Sequence, residues 1–284
     1  MASSPDTAFE PHRAFLVRLA YRMLGSVAEA EDVVQDAFIR WREVDQEAVK
    51  TPRSYLARVV SRLCIDRMRS ESTRREAYVG TWLPEPMVTS PGDSPADDLS
   101  LALLMTLERL SPLERAAFLM HDVFDIDYAD IAAMIDRSEA ACRQLTVRAR
   151  EHVQQSRPRY PTDEKTRDVL VHAFMAAAFG GNVEALAQLL AEDAVLYADG
   201  GGKRPAATTP ICGRANIIAF YARIAALRDA SAVLEQSERV EINSLPGFIV
   251  RVEDGVQTIA FEIAADQIAA IYVVRNPDKL RHLA

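Results

Sequence analysis

Residues Asp127 to Val153 read DYADIAAMIDRSEAACRQLTVRAREHV, and their periodicity predicts two short helices around a tight turn. The first is expected from Tyr128 to about Ile135, with Ile131, Ala132 and Ile135 on one face and Asp127 placed to cap its start. Asp136 and Arg137 form the break, and Ser138 can cap the second helix. In that helix Ala141, Leu145, Ala149 and Val153 make one apolar stripe, which leaves Arg143, Gln144, Val147, Arg148 and Arg150 off it. Such a helix buries one side and offers cations and an amide to something anionic. A helix-turn-helix that sets its second helix in the major groove of DNA needs that arrangement. An ordinary helical hairpin with a solvated basic face would show the same pattern, so the rest of the chain has to decide.

At 284 residues the chain suggests two or three domains. Cys64, Cys142 and Cys212 lie far apart in apolar contexts, which argues for reduced structural thiols in a cytoplasmic protein and against a disulfide or zinc framework. The histidines show no ligand spacing, so neither a metal nor a cofactor is expected. Met1 to Pro11 lacks the basic-then-apolar signature of a signal peptide, and no apolar run reaches the length of a membrane span. The net charge of -8 seems to count against nucleic acid, but its distribution matters more than its sum. Arg53 to Arg75 holds seven arginines against Asp66 and Glu71, and Arg137 to Arg159 holds six against Glu139 and Glu151. Two basic islands in an acidic background would be explained by two separate DNA contacts, and equally by two solvated basic faces.

Upstream, Pro11 to Leu24 shows helical recurrence that Gly25 ends, and Ser26 starts a second helix, SVAEAEDVVQDAFIRWREV. Its buried side is Val33, Val34, Ala37, Phe38 and Trp41, while Asp32, Gln35, Asp36 and Arg40 stay polar. Pro52 opens a third helix in which Tyr55, Leu56, Val59, Val60, Leu63 and Ile65 pack inward. Arg58, Arg62, Asp66 and Arg69 fall along its other face.

AEDVVQDAFIRWRE followed by TPRSYLARVVSRLCIDRMRS resembles region 2 of a bacterial sigma factor of the extracytoplasmic function (ECF) class. The resemblance implies that Asp32, Gln35, Asp36, Phe38 and Arg40 form the segment that docks on the β′ clamp helices of core RNA polymerase, with Phe38 the one most given to packing. It implies that Arg58, Arg62, Asp66 and Arg69 engage the promoter −10 element and hold its strands apart. Many members of the class carry Asn at the position of Arg62. Arginine suits the task physically, since it grips phosphates bidentately and stacks on unpaired bases.

LSPLERAAFLMHDVFDIDYADIAAMIDRSEAACRQLTVRARE, which opens on a capping box at Ser111 to Glu114, resembles region 4 of the same class. That region reads the −35 element and meets the β flap of the polymerase. Ser138, Glu139, Arg143, Gln144 and Arg148 are the base-reading and phosphate-holding positions it implies. Glu139 could accept from cytosine N4, and Arg143 could reach guanine O6 and N7. Between the two regions Glu76 to Leu99 is rich in Pro, Gly and acids and reads as a linker, although Trp82 suggests that its WLPEP stretch docks on something.

Plain ECF sigma factors would stop near the Pro-rich joint at Ser156 to Thr162, and this chain continues. Helices are expected from Asp163 to Phe179, from Asn182 to Leu190 and from Gly213 to Leu227. DAVLYADGGG, SAVLEQSERVEI, GFIVRVEDG and TIAFEIAADQIAAIYVVRNP read as strands, with Asp254-Gly255 a hairpin signal. Helices followed by a curved antiparallel sheet suggest an α+β cone, which resembles the SnoaL-like, ketosteroid-isomerase-like fold. The ECF subgroup with this extension, the SigJ-like members, shows motifs that match WLPEP (Trp82, Leu83, Pro84, Glu85, Pro86), DGGGK (Asp199, Gly200, Gly201, Gly202, Lys203) and NPDKL (Asn276, Pro277, Asp278, Lys279, Leu280).

The expected architecture is therefore multidomain. All-α region 2 occupies 1–75, a linker 76–99, the all-α helix-turn-helix of region 4 100–157, and the cone 163–284. The resemblance implies an alternative sigma factor that binds core polymerase and promoter DNA, performs no catalysis itself and is regulated by its own C-terminal domain. The glycines of DGGGK permit unusual backbone shapes, with Asp199 and Lys203 flanking them as an ion pair or contact point; a plain mobile turn is the alternative. A second reading makes the cone a small-molecule sensor, or an enzyme with Asp193, Asp199 or His172 as nominal bases, although no pair among them has a catalytic spacing.

Overall fold

The computed structural model describes residues 5–76, 78–89, 101–154, 163–226 and 230–283. The Pro-rich joint at 156–162 and the linker from 90 to 99 lie outside them. The described residues form two compact units: those up to 76 and from 103 to 154 in one, those from 78 to 89 and from 163 onward in the other.

The first unit is helical. Helix α1 (Pro5–Leu24) begins before the expected start and carries Pro11 inside it. Gly25, in the left-handed region at φ 71, ends it. Helix α2 (Val27–Arg42) is capped by Ser26, whose Oγ accepts from the Glu29 amide at 3.3 Å. Helix α3 (Pro52–Glu76) completes a bundle whose core takes Leu16, Leu19 and Met23 from α1, Val33, Val34 and Trp41 from α2, and Leu56, Val60 and Cys64 from α3.

A second group comes after it: α4 (Leu101–Leu107), α5 (Pro112–Phe118), α6 (Tyr128–Ile135) and α7 (Glu139–Gln154). The capping box at Ser111 is complete, and α5 runs on through a π-helical turn at Leu119–Val123. Helix α3 packs against both α5 and α6, so the two helical groups share one unit. Arg115 ties them together. Its guanidinium is 2% exposed, donates from Nε to the Arg22 carbonyl at 3.1 Å, and pairs with the Glu108 carboxylate.

In the second unit α8 (Glu164–Gly180), α9 (Val183–Leu189), α10 (Arg214–Ala225) and α11 (Ala230–Glu235) accompany a seven-stranded sheet. The strands are β1 (Val88–Thr89), β2 (Leu190–Asp199), β3 (Ile211–Cys212), β4 (Ser237–Ile242), β5 (Leu245–Val252), β6 (Gly255–Ala264) and β7 (Gln267–Val274), in the order β1-β4-β5-β6-β7-β2-β3. Alternate residues of the long strands, among them Leu196, Val250, Phe261 and Ile271, join Phe174 and Tyr221 of the helices in one core.

Two sequence expectations are corrected here. The sheet is mixed rather than antiparallel, because β2 pairs with β7 in parallel. SAVLEQSERVEI is not one strand: Ala230–Glu235 is helix α11, and only Ser237–Ile242 enters the sheet. The segment from Tyr78 to Thr89, expected as linker, is extended and belongs to the second unit, where β1 pairs with β4 at Val88↔Ile242. There the Met87 amide donates to Asn243 Oδ1 (3.1 Å) and the Asn243 amide to the Met87 carbonyl (2.9 Å).

Candidate functional sites

On α2 the buried positions Ala30, Val33, Val34, Ala37 and Trp41 leave Asp32, Gln35, Asp36 and Arg40 exposed on the opposite side. Phe38 is half-buried, its ring edge-on to Phe9 with centroids 5.0 Å apart, so it packs rather than projects. Ile39, passed over by the sequence reading, is 51% exposed beside Gln35, Asp36 and Arg40. An apolar side chain among charged neighbours on one helix face is what a protein-docking surface offers. Asp32 also lies 3.9 Å from Arg67 of α3, whose guanidinium donates to the Glu29 carbonyl.

Helix α3 buries Leu56, Ala57, Val60, Ser61, Cys64, Ile65 and Met68. Arg58, Arg62, Asp66 and Arg69 stand off that stripe: Arg58 half-buried, the other three exposed. They do not form one open surface. Arg62 Nε donates to the Met134 carbonyl of α6 at 3.1 Å, and Asp66 and Arg69 face each other at 3.8 Å.

The helix-turn-helix is built as its sequence suggests, with two adjustments. Asp127 occupies the N-cap of α6, but its side chain makes no capping bond. The turn rests on Asp136 in the left-handed conformation (φ 57), and Ser138 Oγ accepts from the Ala141 amide at 3.2 Å. The buried stripe of α7 is Cys142, Thr146, Ala149 and Val153; Ala141 and Leu145 are only half-buried. Thr146 can be buried because its hydroxyl donates to the Cys142 carbonyl at 3.1 Å. The opposite surface presents Ser138, Glu139, Arg143, Gln144, Val147 and Arg148, all exposed. Arg143 is paired with Glu139 at 2.9 Å and lies over the Tyr128 ring at 5.1 Å. Arg150 is turned aside, bidentate to Asp122 with both contacts at 2.6 Å.

The three motifs of the second unit meet at one atom group, the Asp199 carboxylate, which has no exposed surface. It accepts from Tyr78 Oη at 2.6 Å, the Leu83 amide at 2.9 Å, the Gly201 amide at 2.9 Å and Lys279 Nζ at 2.8 Å. Lys279 also donates to the Leu83 carbonyl and lies 4.1 Å from the centroid of the Trp82 ring. Asn276 Nδ2 donates to Tyr78 Oη at 2.9 Å. Burial first, and the Asp199 carboxylate after it, push the Tyr78 hydroxyl far above its ordinary range, so it stays a donor.

Further along, His282 faces two acceptors, the Pro86 carbonyl at 2.8 Å and Glu85 at 3.3 Å. Pro84, Glu85, Pro86 and Leu280 are buried; Pro277 is exposed. The expected pairing of Asp199 with Lys203 is not formed. Lys203 instead pairs with Asp278, whose carboxyl that bond holds below its usual value. Gly201 and Gly202 have φ of +61 and +69, and a Cβ on Gly201 would collide with the Asn276 side chain.

Beside this cluster a cavity of about 480 Å³ opens between α10, β2, β6, β7 and the 205–207 loop. His172 and Asp193 are exposed and not part of its wall, and Asp199 is spent on the cluster just described. Among the described residues no helix is long and apolar enough to cross a membrane, and no group of His, Cys, Asp or Glu side chains is placed to hold a metal ion.

Comparison with known proteins identifies the family. Residues 8–74 match the model of Sigma-70 region 2, and residues 100–153 that of Sigma-70 region 4. The chain is 35% identical to the ECF RNA polymerase sigma factor SigJ of Mycobacterium tuberculosis, over 95% of this chain and 91% of that one. It is 38% identical to the sigma factor SigI of the same species, over 65% of this chain and 66% of that one. The crystal structure of M. tuberculosis SigJ superposes with a TM-score of 0.79 at 32% identity, covering 97% of this chain and 98% of SigJ. With both helical regions matched and the third domain carried along in a near-full-length relative, the chain belongs to the ECF RNA polymerase sigma factors, the subunits that take core polymerase to promoters and start transcription there.

Proposed function

We propose that this sigma factor carries its regulator within it, and that the cluster around Asp199 is a latch between the second unit and the segment joining the two sigma regions. The observation that carries this is the convergence on one buried carboxylate of Tyr78 and Leu83 from that segment, Gly201 from the end of β2, and Lys279 from the C-terminal motif. The segment lies between the region 2 and region 4 matches, so whatever grips it constrains how far apart the two promoter contacts can be held. A latch that closes and opens biases the chain between polymerase-ready and closed arrangements.

In this reading Asp32, Gln35, Asp36 and Arg40, with Ile39, meet the β′ clamp helices, and Phe38 supports them from behind. Region 4 meets the β flap. Arg58, Arg62, Asp66 and Arg69 serve the −10 element; Ser138, Glu139, Arg143, Gln144 and Arg148 serve the −35 element. The second unit is read as a regulator and not an enzyme: His172 and Asp193 are not in the wall of the 480 Å³ cavity, and Asp199 has four donors upon it. The chain works where its polymerase is, in the cytoplasm.

Run-off transcription with purified core polymerase tests both levels. Asp199→Ala, or removal of the chain from Asn276 onward, should change transcript yield severalfold while the first unit stays helical and folded. Output unchanged by both alterations would end the latch proposal. Promoter-dependent transcript from neither the full chain nor the trimmed one would contradict the residue roles as well.

A further inference from the structure

One apolar side chain stands among the polar ones on α7. Val147 is 50% exposed, and among the described residues from Leu101 to Gln154 no other large hydrophobic side chain is as exposed. It lies three residues after Gln144 and four after Arg143, so the three share a helix face, with Arg148 one turn on from Gln144. A β-branched side chain at a solvent-facing helix position gives up rotamer freedom and gains no packing, so Val147 adds nothing to the stability of α7. The cations around it are steered by acids: Arg143 pairs with Glu139 at 2.9 Å, and the Arg148 guanidinium lies 4.0 Å from the Glu114 carboxylate. Two steered cations, an amide and an exposed isopropyl group therefore share one surface, within the residues that match Sigma-70 region 4. A protein partner would want a wider apolar area than a single valine.

Duplex DNA offers such a valine one target. The C5-methyl of thymine is the apolar group on the major-groove edges of the bases, and cytosine lacks it. In the same groove a glutamine amide bonds adenine N6 and N7. Residues one helical turn apart have Cβ atoms about 5–6 Å apart, and stacked base pairs are about 3.4 Å apart. Gln144 and Val147 therefore reach base pairs no more than about two steps from each other. We propose that Val147 is a specificity residue, whose methyl groups pack on the C5-methyl of a thymine at or beside the base pair that Gln144 reads. This contact favours T·A over C·G at one position, a choice that phosphate-holding arginines cannot make. It rests on the reading of α7 as the −35 contact and adds to it a residue and the group that residue recognises.

The test uses core polymerase with the full-length chain, which selects duplexes from a pool randomised across the −35 region. In the selected duplex each thymine is then replaced in turn by deoxyuridine, which removes the methyl group and nothing else. One replacement should weaken binding of the wild-type holoenzyme roughly fourfold, the worth of one buried methyl group. Val147→Ala should bind the thymine duplex weaker by a similar factor and be indifferent to that replacement. Alanine is the better helix former, so α7 stays intact in the variant. No thymine in the selected duplex, no loss with deoxyuridine in the wild type, or the same loss in Val147→Ala would each overturn the proposal. Arg143→Ala separates this failure from that of the reading beneath it. If Arg143→Ala changes the selected sequence at another base pair while Val147→Ala still responds to deoxyuridine, the −35 reading stands and Val147 has no part in it. A pool that returns no preferred sequence, or the same one with Arg143→Ala, would remove the −35 reading and this inference with it.

Discussion

Lys279 and Asp199 stand 2.8 Å apart at a carboxylate that water does not reach. Such a pair gains much from mutual attraction and loses nearly as much to desolvation, so it stabilises little compared with an apolar pair of the same shape. Breaking it from one side is another matter. Lys279→Ala or Asp199→Ala should each destabilise the second unit by about 3–5 kcal/mol, while Asp199→Leu combined with Lys279→Met should recover part of that loss. Urea unfolding of the three variants would show this as a positive coupling; simple additivity would mean the two side chains do not act as a pair.

Arg115 makes a similar commitment in the first unit, where its guanidinium joins the end of α1 to the Glu108 carboxylate. Arg115→Ala should cost about 3–5 kcal/mol, since it strands Glu108 as well as the Arg22 carbonyl. Thermal unfolding followed by helical circular dichroism would read it directly. A loss below about 1 kcal/mol would show that solvent reaches the pair more freely than its burial implies.

Arg62 Nε is engaged with the Met134 carbonyl while α3 and α6 are in contact, so that nitrogen is taken in this arrangement. Arg62→Ala should change folding stability by no more than about 1 kcal/mol, the worth of one partly exposed hydrogen bond. Promoter opening, followed by permanganate reactivity at the −10 element, should fall by far more. Equal modest losses in both would assign Arg62 a purely structural role.

On α7 the Glu139–Arg143 pair sets how Arg143 is presented. Arg143→Ala should cost about 1–3 kcal/mol and relax preference at one base pair of the −35 element. Glu139→Ala should instead tighten binding to all duplexes, because it removes an anion from the surface proposed to meet DNA. Competition binding of the polymerase holoenzyme on −35 variants separates the two.

Glu262 accepts from Tyr272 Oη at 2.7 Å on the sheet, and burial raises its pKa more than that bond lowers it. A carboxyl raised in the folded state gives its full contribution below the unfolded value of about 4.3 and loses it as pH climbs through the folded value. Glu262→Gln should therefore raise the thermal midpoint at pH 7 to 8 and leave it nearly unchanged at pH 4. A uniform shift at all pH values would point to shape rather than charge.

What the sequence made legible were features carried by local patterns. The Ser26 and Ser111 caps and the break at Asp136 come from periodicity and breakers over a few residues. Reading the α7 stripe by four-residue recurrence placed Ala149 and Val153 correctly but put the first half one position off, at Ala141 and Leu145 where Cys142 and Thr146 are buried. A hydroxyl that bonds its own helix buries cheaply, and a small thiol does the same. Arg115 was missed for the opposite reason, since nothing local marks an arginine that will be buried by a distant helix.

The SAVLE stretch misled because a short apolar run has no period to separate helix from strand. Lys203 was the nearest cation to Asp199 along the chain, yet Lys279 took the place through strand pairing that spacing cannot reveal.

That pairing has a consequence for the order of events in synthesis. Because β2 and β7 run parallel, with Asp199 opposite Val274, both strands finish at the same end of the sheet. An antiparallel pair of that length would have left their ends roughly 30 Å apart. A parallel partner cannot come from a tight hairpin, so β7 waits for most of the domain, and Lys279 leaves the ribosome 80 residues after Asp199. Since chains fold domain by domain from the N-terminus as they emerge, both sigma regions are complete before the Lys279–Asp199 contact can form. Each new molecule would therefore pass through an interval in which both sigma regions are made and the proposed latch cannot yet close.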